Sequence, residues 1–168
     1  MSLGSVRALI CDVDGVLTNG QLLYHADGSE SKAFNTLDGL GIKLLQQAGI
    51  AVYWLTARRS AVVKRRADEL AVRLFDGADP KLAAFQVIVA ESGIAPAHMA
   101  YMGDDWLDLP IMLRVGVACT VPNAAPALLA KADWVATRAG GDGAVRELAE
   151  AILTAQNQYE SLLATYLS

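Results

Sequence analysis

The run Leu9-Ile10-Cys11-Asp12-Val13-Asp14-Gly15-Val16-Leu17-Thr18 decides the fold. An apolar stretch suited to a buried strand ends abruptly in two carboxylates two residues apart, followed by glycine. In open α/β sheets, ligands bind beyond the carboxyl ends of parallel strands. Acids placed there face a cleft, and their desolvation is costly unless a cation or a substrate uses them. Taken alone, Asp-Val-Asp-Gly reads equally well as a surface turn. The rest of the chain shifts that balance.

Working outward, strand-like and helix-like segments alternate. Strands are predicted at Val6 to Cys11, Ala51 to Leu55, Arg73 to Phe75, His98 to Met102, Gly116 to Val121 and Asp133 to Ala136. Most are short, continuous apolar runs, the pattern of strands covered on both faces. Helices are predicted near 40–47, 61–70, 81–92, 107–114 and 124–132, with a last one from about Gly143. Ser60 suits a helix cap, Pro80 a first turn and Gly93 a helix stop. The alternation predicts right-handed βαβ units in a doubly wound, mainly parallel α/β sheet. Gln21 to Phe34 breaks the rhythm and reads as a β-hairpin turning at Asp27-Gly28. It is too small for a core of its own, and its edges invite a strand partner or a place over the site.

The 168 residues suit one domain, 1–168, with the hairpin at about 21–34 and a C-terminal helix and tail at about 143–168. Hydrophobic content of 54% and charge of 19% fit a globular chain. A net charge of −4 argues against nucleic acid as a general partner. Cys11 and Cys119 sit in apolar runs, as buried thiols of a reducing cytoplasm would. No apolar run approaches the ~18 residues of a membrane span, and no signal-peptide pattern opens the chain. A cytoplasmic protein without a membrane partner is the expectation.

Three further polar signals follow predicted strands: Thr56-Ala57-Arg58-Arg59, Asp76-Gly77-Ala78-Asp79-Pro80-Lys81 and Gly103-Asp104-Asp105-Trp106-Leu107-Asp108. The fold would gather all of them at one rim of the sheet. The set Asp12-Val13-Asp14-Gly15, Thr56, Lys81 and Gly103-Asp104-Asp105 with Asp108 resembles the four motifs of the haloacid dehalogenase superfamily of phosphohydrolases. Phe34-Asn35-Thr36-Leu37-Asp38-Gly39 and Gly140-Gly141 through Glu147 extend the likeness. Together they resemble the capless 3-deoxy-D-manno-octulosonate 8-phosphate (KDO 8-phosphate) phosphatases, whose pattern the acylneuraminate-9-phosphate phosphatases share.

Each residue has a chemical reason. Phosphate monoester hydrolysis is among the slowest uncatalysed reactions, needing accelerations up to ~10²¹. A carboxylate nucleophile, Asp12, divides it through an aspartyl-phosphate. Asp14 lies on the same side of an extended chain; it can protonate the departing oxygen and then deprotonate the attacking water. That role requires Asp14 to start protonated, favoured by burial and by Asp12. Mg²⁺ suits a few carboxylates, waters and a phosphate oxygen. Asp12 and Asp104 are its expected side-chain ligands, and the resemblance implies the main-chain carbonyl of Asp14 as a third. Asp105 and Asp108 are expected to orient metal-bound water and neighbouring donors. Asp108 reads alternatively as a first-turn helix charge. Thr56 would bind a phosphoryl oxygen, and Lys81 would neutralise Asp12 and the phosphate.

The resemblance implies that Arg58 and Arg66 contact substrate, and a guanidinium fork suits a carboxylate or a phosphate. Asn35, Asp38 and Gly39 match a segment near the sugar, although Asp38-Gly39 equally suits a helix start. Lys43 stands where octulosonate phosphatases often carry arginine, and Ala57 where the superfamily more often carries glycine. With no cap domain, closure over the substrate falls to something else; in the resembling family a homotetramer provides it. The hairpin and the Gly140-Gly141-Asp142-Gly143 turn are the candidates here. The apolar tail with Leu162, Leu163, Tyr166 and Leu167 suits an interface or its own core.

The leading expectation is a Mg²⁺-dependent phosphatase acting on a small phosphorylated sugar acid, KDO 8-phosphate or an acylneuraminate 9-phosphate. One alternative is a phosphatase of the same superfamily for another small phosphomonoester. Another is a phosphoacceptor switch, in which the reactive Asp would follow the third strand rather than the first. A catalytically silent oligomeric module would have no reason to retain all four motifs.

Overall fold

The computed structural model of the protein describes residues 2–167. In chain order its main elements are β1 (Ala8–Cys11), β2 (Leu23–Tyr24), β3 (Glu30–Ser31), α1 (Thr36–Gln47), β4 (Ala51–Leu55), α2 (Ala61–Glu69), β5 (Arg73–Phe75), α3 (Lys81–Ser92), β6 (Met99–Gly103), α4 (Leu109–Met112), β7 (Val117–Thr120), α5 (Pro126–Leu129), β8 (Trp134–Val135), α6 (Ala144–Ala155) and α7 (Tyr159–Ala164).

Six strands form one parallel sheet in the order β5-β4-β1-β6-β7-β8. β1 is wholly buried, as its unbroken apolar run requires. From β1 the chain moves out to β4 and β5, then returns to β6 on the other side of β1. That reversal opens a crevice at the carboxyl ends of the central strands. The registers Cys11 opposite Trp54 and Met102, and Leu55 opposite Phe75, end the neighbouring strands nearly level. Asp12, Thr56 and Asp104 each follow at once, so adjacent strands about 4.8 Å apart deliver them to one rim. α1 packs along α6, and the sheet and helices bury one continuous cluster around Trp54, Tyr101, Leu9 and Ile10.

The smaller two-stranded sheet pairs β2 with β3 in antiparallel register, Tyr24 opposite Glu30. Its turn closes with His25 N donating to Ser29 O at 2.9 Å and Ser29 N to Asp27 Oδ1 at 2.9 Å. Ser60 caps α2 through Val63 N, and Gly93 ends α3 in the left-handed region. Pro80 stands one place earlier than expected, at the cap of α3 rather than within its first turn.

The other departures have local causes. α1 begins at Thr36, four residues sooner than predicted, because Asn35 caps it by accepting from Leu37 N. The helix expected at 107–114 is a 3₁₀ turn, Trp106–Asp108, followed by the short α4. A reciprocal capping box of Asp105 and Asp108 holds that turn. The helix expected from Ala124 starts at Pro126, which disfavours helical backbone at the residue before it. The last segment divides at Asn157, which adopts a φ of 56°. No helix among the described residues is long and apolar enough to cross a membrane.

Candidate active site

A cleft of about 250 Å³ opens at the rim, lined by Asp12, Asp14, Thr56, Arg58, Lys81, Asp104, Asp105 and Asp108, with Gly20, Ala57 and Leu107 between them. The first turn of α3 carries Lys81 under Asp12. Its Nζ lies 2.7 Å from Asp12 Oδ1 and 2.6 Å from Asp108 Oδ1. All three side chains are almost fully buried. Burial alone would lower the Lys81 pKa, but Asp12 and Asp108 outweigh it and hold the ammonium above its ordinary value. Asp12 is pushed well above the ordinary carboxylate range by desolvation and then by Asp108, with Lys81 opposing. Asp104 is pushed up to about 6, again by burial first and Asp108 second. Three carboxylates therefore face one ammonium.

Asp12, Asp104 and Asp108 bring one oxygen each to within 4.8 Å of one another. An all-oxygen, anionic donor set of this kind suits a hard divalent cation. Asp108 is the least available of the three. Its Oδ1 accepts from Lys81 Nζ and, at 2.5 Å, from Tyr101 Oη. Its Oδ2 accepts from Asp104 N at 3.0 Å and Asp105 N at 3.2 Å. Four donors occupy the roughly four lone-pair positions of a carboxylate. Asp108 thus braces Lys81 and the backbone that presents Asp104, leaving Asp12 and Asp104 as the side chains free to hold a cation. The charge is neither solvated nor a bare helix-dipole contact.

Gly15 explains the glycine after the acidic pair. It adopts φ of 95°, and a Cβ there would lie 1.9 Å from Asp104 Oδ2. Gly140 supports the same loop from behind: its Cβ would come 1.7 Å from Gly15 O, and Gly141 N donates to Val16 O at 2.9 Å. The glycine-rich turn therefore braces the loop after Asp14. Thr56 is buried at the rim, its Oγ1 accepting from Arg58 N at 3.2 Å. Asp105 is exposed and accepts from Trp106 N.

The substrate candidates separate. Arg58 lines the cleft, with Nη2 donating to Tyr24 Oη at 2.7 Å and Nε 3.9 Å from Asp14 Oδ2. Asn35, Asp38, Gly39 and Arg66 gather instead around Phe34 and Trp54, outside the cleft lining. Asn35 caps α1, and Asp38 Oδ1 accepts from Arg146 N at 2.9 Å at the start of α6. Burial raises Asp38, and backbone N–H groups of Arg146, Gly143 and Val145 oppose that rise. Arg66 lies against Gly39 and pairs with Glu69. Lys43 is exposed on the far face of α1 beside Gln46, Gln47 and Glu69.

Three contacts were not foreseen in the sequence. Lys32, just past β3, donates to Asp14 Oδ1. Tyr24 holds Arg58. Tyr101 donates to Asp108, and its signal was present: a phenol inside an apolar strand needs a buried partner. Lys32 and Tyr24 carried no such signal, because only the folded hairpin brings them to the rim.

With this geometry in place, known proteins can be compared. Residues 74–148 match the haloacid dehalogenase-like hydrolase family. Over 157 residues the chain is 42% identical to the 3-deoxy-D-manno-octulosonate 8-phosphate phosphatase of Yersinia pestis, covering 93% of this chain and 84% of that protein. The chain belongs to that phosphatase family. The phosphatase of Moraxella catarrhalis, solved with a magnesium ion, a phosphate ion and KDO, superposes with a TM-score of 0.95 at 41% identity, covering 98% of this chain and 95% of that one. The cobalt-bound deoxy-D-mannose-octulosonate 8-phosphate phosphatase of Haemophilus influenzae gives 0.95 at 36% identity, with all of both chains covered. This phosphatase thus shares the capless core and a site suited to Mg²⁺.

Proposed function

We propose that the protein hydrolyses KDO 8-phosphate, with Asp12 as nucleophile and Asp14 as acid and base. The observation that carries this reading is the buried Asp12–Lys81–Asp108 array beside Asp104, at a switch point of the sheet. Identity above 40% to phosphatases named for that ester supports the choice of sugar.

Asp12, held by Lys81, attacks phosphorus. The bond to the sugar oxygen breaks, and that oxygen leaves with the electron pair and a proton from Asp14. Water then attacks the aspartyl-phosphate, gives a proton to Asp14 and releases inorganic phosphate and the Asp12 carboxylate. Lys81 and the Thr56 hydroxyl face the phosphoryl oxygens. Asp12 and Asp104, with the Asp14 carbonyl, are the residues that would hold Mg²⁺. That ion supplies charge neutralisation between the carboxylate and the phosphate. Arg58, at the cleft wall, is the guanidinium placed for the sugar carboxylate. We assign Asn35, Asp38 and Gly39 to bracing α1 and α6, Arg66 to packing against Gly39, and Lys43 to the surface of α1.

A homotetramer in the cytoplasm completes the reading. Exposed Leu23 and Tyr24 on the hairpin and Trp106 and Leu107 at the cleft mouth support coverage by a neighbouring copy. Two buried cysteines, both free, support a reducing compartment.

The test is steady-state kinetics on KDO 8-phosphate, acylneuraminate 9-phosphate, simple sugar phosphates and nucleotides. Highest kcat/KM for KDO 8-phosphate is expected, and a preference for a neutral sugar phosphate overturns the assignment. Asp12→Asn is expected to reduce turnover by about 10⁴-fold or more, the scale of nucleophile deletions.

A further inference from the structure

The geometry points to Lys32 as a positioning residue for Asp14, through which the hairpin of the same chain sets the acid/base carboxyl. This rests on Asp14 acting as that acid and base. The Lys32 ammonium donates to Asp14 Oδ1, and its side chain is 1% exposed against 18% for Asp14. Lys32 is absent from the cleft lining, whereas Asp14 is part of it. The buried lysine therefore meets the carboxyl from outside the cleft lining.

The other oxygen, Asp14 Oδ2, is buried with no hydrogen-bond partner among the described residues, and Arg58 Nε lies 3.9 Å from it. One oxygen is thus anchored by Lys32, and the other carries no competing hydrogen bond. A carboxyl on a single rotatable stem gains from such an anchor, since general acid catalysis depends on a donor held at hydrogen-bond reach. The hairpin touches the rim a second time through Tyr24 Oη, which accepts from Arg58 Nη2 at 2.7 Å. Lys32 and Tyr24 come from opposite sides of the turn, so a folded hairpin is needed for both contacts. An insertion that reads as a cover thus doubles as a brace inside its own subunit.

Leaving-group dependence separates positioning from simple structural support. An alkyl ester needs a proton on its departing oxygen, whereas 4-nitrophenolate leaves without one. Lys32→Met, with Lys32→Gln as the second variant, would be measured on KDO 8-phosphate and on 4-nitrophenyl phosphate in one preparation. Ribose 5-phosphate serves as the alkyl ester if the wild type prefers it. The ratio between esters does not depend on the fraction of enzyme that is folded. The expected result is a fall of about 10²-fold in kcat for the alkyl ester, with KM within about threefold and first-turnover nitrophenolate release within about threefold. Lys32→Arg, which retains a donor, is expected to recover at least about tenfold of the alkyl-ester loss. Equal losses on both esters, no loss on the alkyl ester, or no recovery by arginine would overturn the proposal. Asp14→Asn on the same pair of esters isolates the underlying assignment: a loss that ignores the leaving group counts against Asp14 as the acid, whatever Lys32 does.

Discussion

Asp108 and Asp38 are both fully buried carboxylates at the end of an element, yet their surroundings oppose each other. Asp38, in the first turn of α1, meets only backbone N–H groups at the start of α6, where the helix dipole favours a negative charge. Those groups offset only part of the cost of burial, which still raises its pKa. Asp108 meets Lys81, Tyr101 and two backbone N–H groups, but it also stands beside Asp12 and Asp104 and raises both. Its region keeps more negative charge than Lys81 can balance. The contrast separates a carboxylate that joins two helices from one that helps to assemble a site for a cation and a phosphate.

The comparison is broken most forcefully at Asp108. Asp108→Ala strands the Lys81 ammonium on one carboxylate and leaves three other donors unanswered. Removing one partner of a buried pair costs about 3 to 5 kcal/mol, so a fall of that size in urea unfolding is expected, together with loss of phosphatase activity. Retention of both would show that Lys81 is held by Asp12 alone.

Magnesium sharpens it next. Asp104 binds its proton more tightly when folded, at about 6 against 3.8 unfolded. Its stabilising contribution is present below the unfolded value and is lost as pH rises through the folded one. Metal-free protein is therefore expected to lose stability between about pH 4 and 6. Mg²⁺ at a hundred times its dissociation constant is expected to add about 2.7 kcal/mol at pH 7.5, and much less at pH 5, where the proton competes. Urea midpoints with and without Mg²⁺ at the two pH values measure this, and Asp104→Asn should abolish the difference.

The smallest effect is expected at Asp38. Asp38→Ala removes a helix-capping acceptor, worth about 1 to 2 kcal/mol. Turnover of KDO 8-phosphate is expected to stay within about threefold of the wild type, because the side chain lies outside the cleft. A loss of activity larger than the loss of stability would return Asp38 to the substrate site.

Much of the catalytic rim was legible in the chain. Short apolar runs ending in polar residues announce parallel strands with a site at their carboxyl ends, and β1, β4, β5 and β6 end within one or two residues of where their sequences break. Boundaries were misplaced where a cap or a proline acts locally, as at Asn35, Asp105 and Pro126. Asn35 and Asp38 illustrate a different gap. A motif at a helix start looks the same whether its side chains serve a ligand or a neighbouring helix, and here both brace the helices.

By itself, the sequence determined the parallel sheet, the four strand-end motifs and the need for a cation, because periodicity and the cost of buried charge act within short stretches. Only the tertiary structure decided that Asp108 is saturated by four donors, that Gly140 supports Gly15, and that Lys32 reaches Asp14. Those contacts join residues that are close in space and, for Lys81 with Asp108, Gly140 with Gly15, and Lys32 with Asp14, far apart in the chain. Hydrogen bonding and close packing between them depend on where the backbone carries each partner, which no local pattern encodes.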